Sequence, residues 1–208
     1  IFRRNLFVTT IDERTPILRF HDLFRDFLQS ELNRSFPSDV QSLQIRAAQA
    51  ERVPTRSVSH YLQAQQWQAA LDSIAAQGDQ LIADGAIGTI ERWFEQIPAD
   101  VCAASPQVAF LNGTCAWLRW DWVRAKRELP PAVVGLTAPQ ELSRRVRAFF
   151  QLIDALNSSG DVAGARAHLE EVARLPLDDL GQAQLALQRA WCLTPDGSID
   201  DVAGNMRE

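Results

Sequence analysis

The chain has 208 residues, enough for one large domain or two small ones, and its 46% hydrophobic residues can build a real core, which excludes a disordered chain. Its 21 basic and 26 acidic residues give a net charge of −5 without a dense basic run. This balance argues against nucleic-acid binding by this chain, because neutralised phosphates supply most of that affinity. The apolar stretches are short, so neither a membrane span nor a signal peptide is predicted, and we expect a cytoplasmic protein.

The first part of the chain changes its hydrophobic period. Residues 6–11 are rich in β-branched and aromatic types, residues 12–16 are polar, and a second such run follows at residues 17–20, which predicts a β-hairpin. An apolar stripe at helical spacing comes next and predicts a helix that ends at Phe36 and Pro37. The stripe consists of Leu23, Phe24, Phe27, Leu28 and Leu32.

From about residue 39 onward the apolar spacing predicts only helices, separated by Pro and Gly. Two separate helices are predicted on either side of Gly78, at residues 67–77 and 79–84. An irregular connection is predicted from Pro130 to Thr137, because two consecutive prolines normally end a helix.

A short pattern recurs at the helix junctions. A Gly ends one helix in a left-handed conformation, and an apolar residue two positions on fills the gap between the helices. A small residue three positions further lets the next helix approach closely. Two copies replace the Gly by another residue. The five copies are Gln65-Trp67-Ala70, Gly85-Ile87-Ile90, Trp120-Trp122-Ala125, Gly160-Val162-Ala165 and Gly197-Ile199-Val202.

The last four junctions recur at intervals of about 35 to 40 residues, which is the period of tetratricopeptide and similar helical repeats. The sequence therefore predicts an all-α fold, a tetratricopeptide-like right-handed α-solenoid of antiparallel helix pairs, with a short amino-terminal β-hairpin. One helix pair cannot bury its apolar face alone, so each must stack on its neighbours. We expect the natural protein to continue beyond Glu208 and to begin before Ile1, unless processing created that amino terminus.

The order of these features resembles MalT-like regulators, a group of large ATP-binding LuxR-type transcriptional regulators. The resemblance rests on Asn5-Leu6-Phe7, on the aromatic-His-x-Leu-Phe motif Phe20-His21-Asp22-Leu23-Phe24, and on the segment Arg92-Trp93-Phe94-Glu95-Gln96-Ile97-Pro98 within residues 81–125. In that family a hairpin wing and a helix close a winged-helix domain directly before a helical repeat region. The resemblance implies that residues 1–36 are the end of the winged-helix domain and residues 37–208 a truncated tetratricopeptide-like repeat domain.

The resemblance also implies a function. In the family this region receives an inducer or partner and couples it to oligomerisation and transcription activation, whereas the ATP-binding and helix-turn-helix domains would lie outside residues 1–208. No phosphate-loop motif is present, so we expect no cofactor here. The expected partners are a small-molecule inducer or a protein on the concave face, and further copies of the chain, but neither DNA nor a membrane.

Two other classes of function remain in view. A tetratricopeptide adaptor scaffold that holds peptide segments would share the same repeats. An enzyme is disfavoured, because no nucleophile, metal-ligand or carboxylate set converges in the sequence. His21, His60 and His168 lack metal-ligand companions, and the three cysteines are expected in the core.

The tetratricopeptide register predicts which side chains face the concave side. They lie on the first helix of each pair, and the candidates for ligand binding are Phe110, Thr114, Trp117, Phe150, Asp154, Asn157 and Trp191. Trp67 and Trp122 occupy the gap-filling position of the junctions and are predicted to be core. The basic run of Arg144, Arg145 and Arg147 is predicted to be a solvated stripe.

Overall fold

The computed structural model describes residues 8–12 and 17–193, and the side chains from Phe20 to Cys192. The chain divides into two compact units between Gln66 and Trp67. The domain boundary predicted at residues 36 and 37 falls inside the first unit, at the junction of two helices, and it stays a prediction.

The described residues of the first unit form two strands and three helices. The strands pair antiparallel, with Val8 opposite Phe20, and the register shifts between Thr10 and Asp12. Residues 13–16, where the hairpin turn was predicted, lie outside the described residues. The elements are β1 (Val8–Asp12), β2 (Ile17–Phe20), α1 (Asp22–Ser35), α2 (Pro37–Ala50) and α3 (Pro54–Gln63).

The second unit is helical throughout its described part. Consecutive helices from α7 to α11 pack on each other, and α9 also contacts both α7 and α11. A 3₁₀ turn at Pro139–Glu141 precedes α9. The helices are α4 (Trp67–Ala83), α5 (Ile87–Phe94), α6 (Ala99–Ala103), α7 (Pro106–Leu118), α8 (Trp122–Gly135), α9 (Leu142–Ser158), α10 (Val162–Val172) and α11 (Asp179–Leu193).

The left-handed residue predicted at each junction is confirmed at the four junctions that the structure describes. The φ angles are +53° at Gln65, +73° at Gly85, +60° at Trp120 and +79° at Gly160. At each of them the N–H of the following residue donates to the carbonyl five positions earlier, as Asp161 does to Leu156 at 3.0 Å. This bond closes the end of the preceding helix in a Schellman motif. Gly197 lies outside the described residues.

The residues that follow the junctions divide into two classes. Five positions after each junction the side chain is fully buried, and these side chains are Ala70, Ile90, Ala125 and Ala165. Two positions after each junction the side chain is only half-buried or exposed, and these side chains are Trp67, Ile87, Trp122 and Val162. The prediction that Trp67 and Trp122 are core is therefore wrong, because the gap-filling position keeps one side in contact with solvent.

The predicted helix break at Gly78 is wrong. Helix α4 continues through Gly78, which is buried against α7. A Cβ atom at this position would lie 2.4 Å from Cδ2 of Leu111. The Gly therefore permits a close approach of two helices and does not end one.

The predicted irregular connection from Pro130 to Thr137 is also wrong over most of its length. Helix α8 continues through Pro130 and Pro131 to Gly135. The prolines leave two helical carbonyls without their usual N–H donors. The flanking side chains Leu129, Ala132 and Val133 are buried, and this packing holds the segment helical despite the lost bonds.

The basic run on α9 is not a solvated stripe. Arg144 and Arg147 reach Asp79 of α4 at 2.7 and 3.0 Å, and Arg145 donates to the carbonyl of Val133 on α8 at 2.8 Å. These side chains fasten α9 to its neighbours. The prediction failed because residues far apart in sequence supply the partners.

Candidate functional site

A groove of about 710 Å³ lies on the second unit and is formed by α7, α9, α11 and the junction between α7 and α8. Four of the six tryptophans line it. Trp117 comes from the end of α7, Trp120 from the junction, Trp122 from the start of α8, and Trp191 from the end of α11. The helix junction thus brings three tryptophans close in sequence to one wall, and α11 supplies the fourth.

Two of these four tryptophans are largely exposed, and the other two are half-buried. Trp120 is 76% exposed and Trp191 is 68% exposed. The rings of Trp120 and Trp122 meet edge to face, with their centroids 5.3 Å apart. Such a pairing favours one relative orientation of the two rings, which together form an aromatic surface on this wall.

Trp120 has an unfavourable backbone conformation. Its φ angle of +60° lies in the left-handed region, where Gly is found at the equivalent junctions Gly85 and Gly160. A bulky residue there costs on the order of 1–2 kcal/mol relative to Gly.

A row of side-chain hydrogen bonds crosses the bottom of the groove from α7 through α9 to α11. The indole N–H of Trp117 donates to Oδ2 of Asp154 at 3.0 Å. The amide of Gln188 donates to Oδ1 of the same carboxylate. Farther along α9, the amide of Asn157 donates to Sγ of Cys192 at 3.2 Å. These bonds fix the polar groups of three helices relative to one another.

Asp154 is the only charged side chain among the described residues that line the groove. Its burial raises the pKa of the carboxyl group, and the hydrogen bonds from Gln188 and Trp117 act in the opposite direction by stabilising the carboxylate. The remaining polar lining consists of amides and one hydroxyl, from Asn157, Ser158, Gln184 and Gln188. The groove thus combines aromatic walls with a single acidic group.

The structure brings four of the seven predicted ligand-binding residues to this groove, namely Trp117, Asp154, Asn157 and Trp191. It does not bring the other three there. Phe110, Thr114 and Phe150 are buried. Arg147 covers the ring of Phe110, with its guanidinium carbon 5.2 Å from the ring centroid, and Thr114 donates to Gln151 at 2.9 Å inside the core. Ligand binding by the first four stays a prediction.

The predicted ligand-binding residues do not include several residues of the groove, among them Trp120, Gln184 and Gln188. One signal could have found Gln188. Trp117, Asp154 and Trp191 follow each other at intervals of 37 residues, and so do Thr114, Gln151 and Gln188. Equal intervals place residues at equivalent positions of successive first helices, where their side chains can meet.

The three histidines lie outside the groove. His21 precedes the first residue of α1 and is exposed, and Nδ1 of His60 lies 2.6 Å from Oε1 of Gln44. His168 lies 3.5 Å from Glu171 and against the ring of Phe149. Among the described residues, no three His, Cys, Asp or Glu side chains form a group that could hold a metal ion.

A second cavity, of about 890 Å³, lies among α5, α6, α7 and α8 and is lined by several charged residues. Its arginines Arg119 and Arg124 both contact the carboxylate of Glu91, at 2.7 and 3.0 Å. Arg127 contacts Glu128 at 2.8 Å. Because these charges already have partners, this cavity offers a ligand less than the tryptophan-lined groove does.

Comparison with known proteins finds a match at the amino-terminal end of the chain. Residues 1–40 match the family model of the MalT winged helix domain. The matched segment includes β1, β2, α1 and the start of α2, and it supports a MalT-like regulator. No curated protein and no solved structure matches the chain. None of the described helices is long and apolar enough to span a membrane.

Proposed function

We propose that the chain is the ligand- or partner-sensing and oligomerisation region of a MalT-like, LuxR-type transcriptional regulator. The observation that carries this proposal is the match to the MalT winged helix domain at residues 1–40, followed in the chain by a series of helix pairs. In this proposal the ATP-binding and DNA-binding domains of the regulator are separate from residues 1–208.

The helix pairs are proposed to form a right-handed tetratricopeptide-like solenoid. Two observations support this arrangement. The same left-handed junction recurs between successive helices, and α9 contacts both α7 and α11, the first helices of the neighbouring pairs. Stacking of this kind places equivalent first-helix positions in a row, and it produces the extended concave surface on which solenoids bind their ligands.

The tryptophan-lined groove is proposed to be the sensing site. A ligand in it would touch α7, α9 and α11 together, and these helices belong to three successive pairs. Such a ligand would bind most tightly to one spacing of the helix pairs. It would therefore raise the population of that arrangement, by an amount set by the difference in its affinity for the alternative arrangements. Ligand binding would thereby be coupled to the shape of the repeat region and to its self-association.

We propose binding and not catalysis at this groove. Asp154 is accompanied by amides and tryptophans, without a second carboxylate or a histidine among the described lining residues. A single carboxylate can act as a general acid or base, but the described lining lacks the second carboxylate or histidine that paired acid–base sites use. The role of Asp154 is then recognition of the ligand.

The proposal can be tested on the purified chain with a panel of bacterial metabolites, by thermal melting and sedimentation velocity. A cognate inducer is expected to raise Tm through its preference for the folded state and to change the sedimentation coefficient. A gel-shift assay at physiological salt is expected to show no sequence-specific DNA binding.

Three outcomes distinguish the alternatives. Sequence-specific DNA binding by the chain would contradict the proposed role. Binding of extended peptides, with no metabolite changing Tm, would favour the adaptor scaffold. The encoding gene gives an independent check, because the proposal requires a phosphate-loop motif upstream of this region and a helix-turn-helix downstream.

A further inference from the structure

We propose that the ligand of the tryptophan-lined groove carries an organic ammonium group, which is held by the indole rings together with the Asp154 carboxylate. This inference rests on the proposed function and names the chemical class of the ligand at the same site. It is carried by the composition of the groove and by its charge.

The aromatic composition favours a cation. The face of an indole ring carries negative electrostatic potential and attracts an ammonium group more strongly than a Phe or Tyr ring does. Four indoles line this groove, and two of them, Trp120 and Trp191, are largely exposed. A substituted ammonium group matches such a surface because its alkyl groups also displace water from the rings.

The charge of the groove favours the same class. Asp154 is its only charged group among the described lining residues, and no Lys or Arg side chain belongs to that set. The nearby Arg166 of α10 instead donates to the backbone carbonyl of Cys192, at 2.7 Å. An anionic ligand would be repelled by the carboxylate, whereas a cationic ligand would offset the free-energy cost of burying that carboxylate.

The hydrogen bond between Trp117 and Asp154 connects the aromatic surface with the carboxylate. The carboxylate accepts the indole N–H of Trp117 at 3.0 Å, which draws electron density toward the ring and strengthens its attraction for a cation. Gln188 holds the other carboxylate oxygen in place. A carboxylate has about four acceptor positions, so these two bonds leave capacity for a charged donor.

The junction conformation of Trp120 places its ring at the edge of the groove. The left-handed conformation suits Gly, which is present at two equivalent junctions, but Gln65 adopts it at a third. The ring of Trp120 packs against Trp122 at the edge of the groove, so the strained residue contributes to the surface that would receive the ammonium group.

The charge requirement can be measured with two molecules of the same shape. Choline carries a trimethylammonium group, and 3,3-dimethylbutan-1-ol replaces that group with an uncharged tert-butyl group. Isothermal titration of the chain is expected to show at least about tenfold tighter binding of choline, since a desolvated cation–π contact and a nearby carboxylate each favour the charge.

Two variants and their matched controls assign the effect to the groove. Asp154→Asn and Trp191→Ala are each expected to weaken choline binding about tenfold. Glu170→Gln removes an exposed carboxylate of α10, and Leu180→Ala removes an exposed apolar side chain of α11, and both changes lie outside the groove lining. These two controls are expected to leave choline binding unchanged. Circular dichroism and Tm establish that each variant is folded.

The outcomes separate this inference from the proposed function. Equal binding of choline and its uncharged analogue would overturn the ammonium proposal, but the groove would remain a ligand site. Tighter binding of a neutral saccharide than of choline would also overturn the ammonium proposal and leave the groove as a ligand site. If neither choline nor its analogue binds, the ammonium proposal is overturned, and the metabolite panel decides the sensing role independently.

Discussion

Helix α1 of the first unit and helix α9 of the second unit differ sharply in burial, although both have apolar residues at helical spacing. None of the residues of α1 is buried, and Phe27 is 59% exposed. In α9, eight residues are buried, Phe149 and Phe150 among them. Helix α9 packs against α7, α8, α10 and α11, whereas α1 packs on α2. Apolar spacing thus indicates a helix, but the neighbouring helices decide how much of its apolar face is buried.

One substitution in each helix tests this difference in burial, and the substitution in α9 is expected to have the largest effect on the free energy of unfolding. Phe150→Ala is expected to lower the free energy of unfolding by about 3–5 kcal/mol, because it leaves a cavity in the core. Phe27→Ala removes a largely exposed ring and is expected to cost less than about 1 kcal/mol. Urea denaturation followed by circular dichroism measures both. Similar losses for the two variants would contradict the difference in burial.

The buried thiol of Cys115 on α7 gives a pH-dependent test of the same core. Burial, first, and the Glu91 carboxylate, second, raise the pKa of this thiol from 9.0 to about 11. Between these values the thiol is ionised in the unfolded chain but protonated in the folded chain, so stability falls as pH rises. The loss is expected to reach about 2–3 kcal/mol at pH 11.

The variant Cys115→Ser supplies the control for that measurement. Its hydroxyl does not ionise between pH 9 and 11, so the free energy of unfolding should decline less steeply than in the parent chain. The comparison uses the slope with pH, because the substitution also changes the stability at neutral pH. An unchanged slope would mean that Cys115 is accessible to water.

A smaller effect is expected from adding one methyl group at two helical glycines. At Gly113 of α7, a Cβ atom would lie 2.4 Å from Cδ2 of Leu129, whereas at Gly88 of α5 no atom lies within 4 Å. Gly113→Ala is expected to cost about 1–3 kcal/mol through overpacking, reduced by the better helix propensity of Ala. Gly88→Ala is expected to be neutral or stabilising by a few tenths of a kcal/mol. Urea denaturation checks both, and a stabilising Gly113→Ala would show that α7 and α8 are loosely packed.

The junctions could be predicted from the sequence because their causes are local. The left-handed residue and the hydrogen bond that follows it involve only six consecutive residues, and the pattern was found even where Gln65 or Trp120 replaces Gly. The breaks predicted at Gly78 and Pro130 failed for the opposite reason. Leu111 and the buried side chains around Pro130 come from tertiary packing, which local patterns do not contain.

The candidate site was predictable in part for a similar reason. The repeat register places Trp117, Asp154 and Trp191 at equivalent positions of α7, α9 and α11, and these three residues do line one groove. The same register included Phe110, which belongs to the same helix as Trp117. Its ring is covered by Arg147, whose guanidinium is held 3.0 Å from Asp79 of α4. That ion pair spans two distant segments and could not be read from the helical spacing.

The central claim is that the tryptophan-lined groove receives the ligand, and the indole N–H signals of the chain test it most directly. A ¹H–¹⁵N spectrum resolves the six tryptophans, which single Trp→Phe variants assign. Addition of choline is predicted to shift the signals of Trp117, Trp120, Trp122 and Trp191, that of Trp117 most because its N–H is bonded to Asp154. Trp67 and Trp93, which lie outside the groove lining, should not move. Shifts confined to Trp67 or Trp93 would contradict the account.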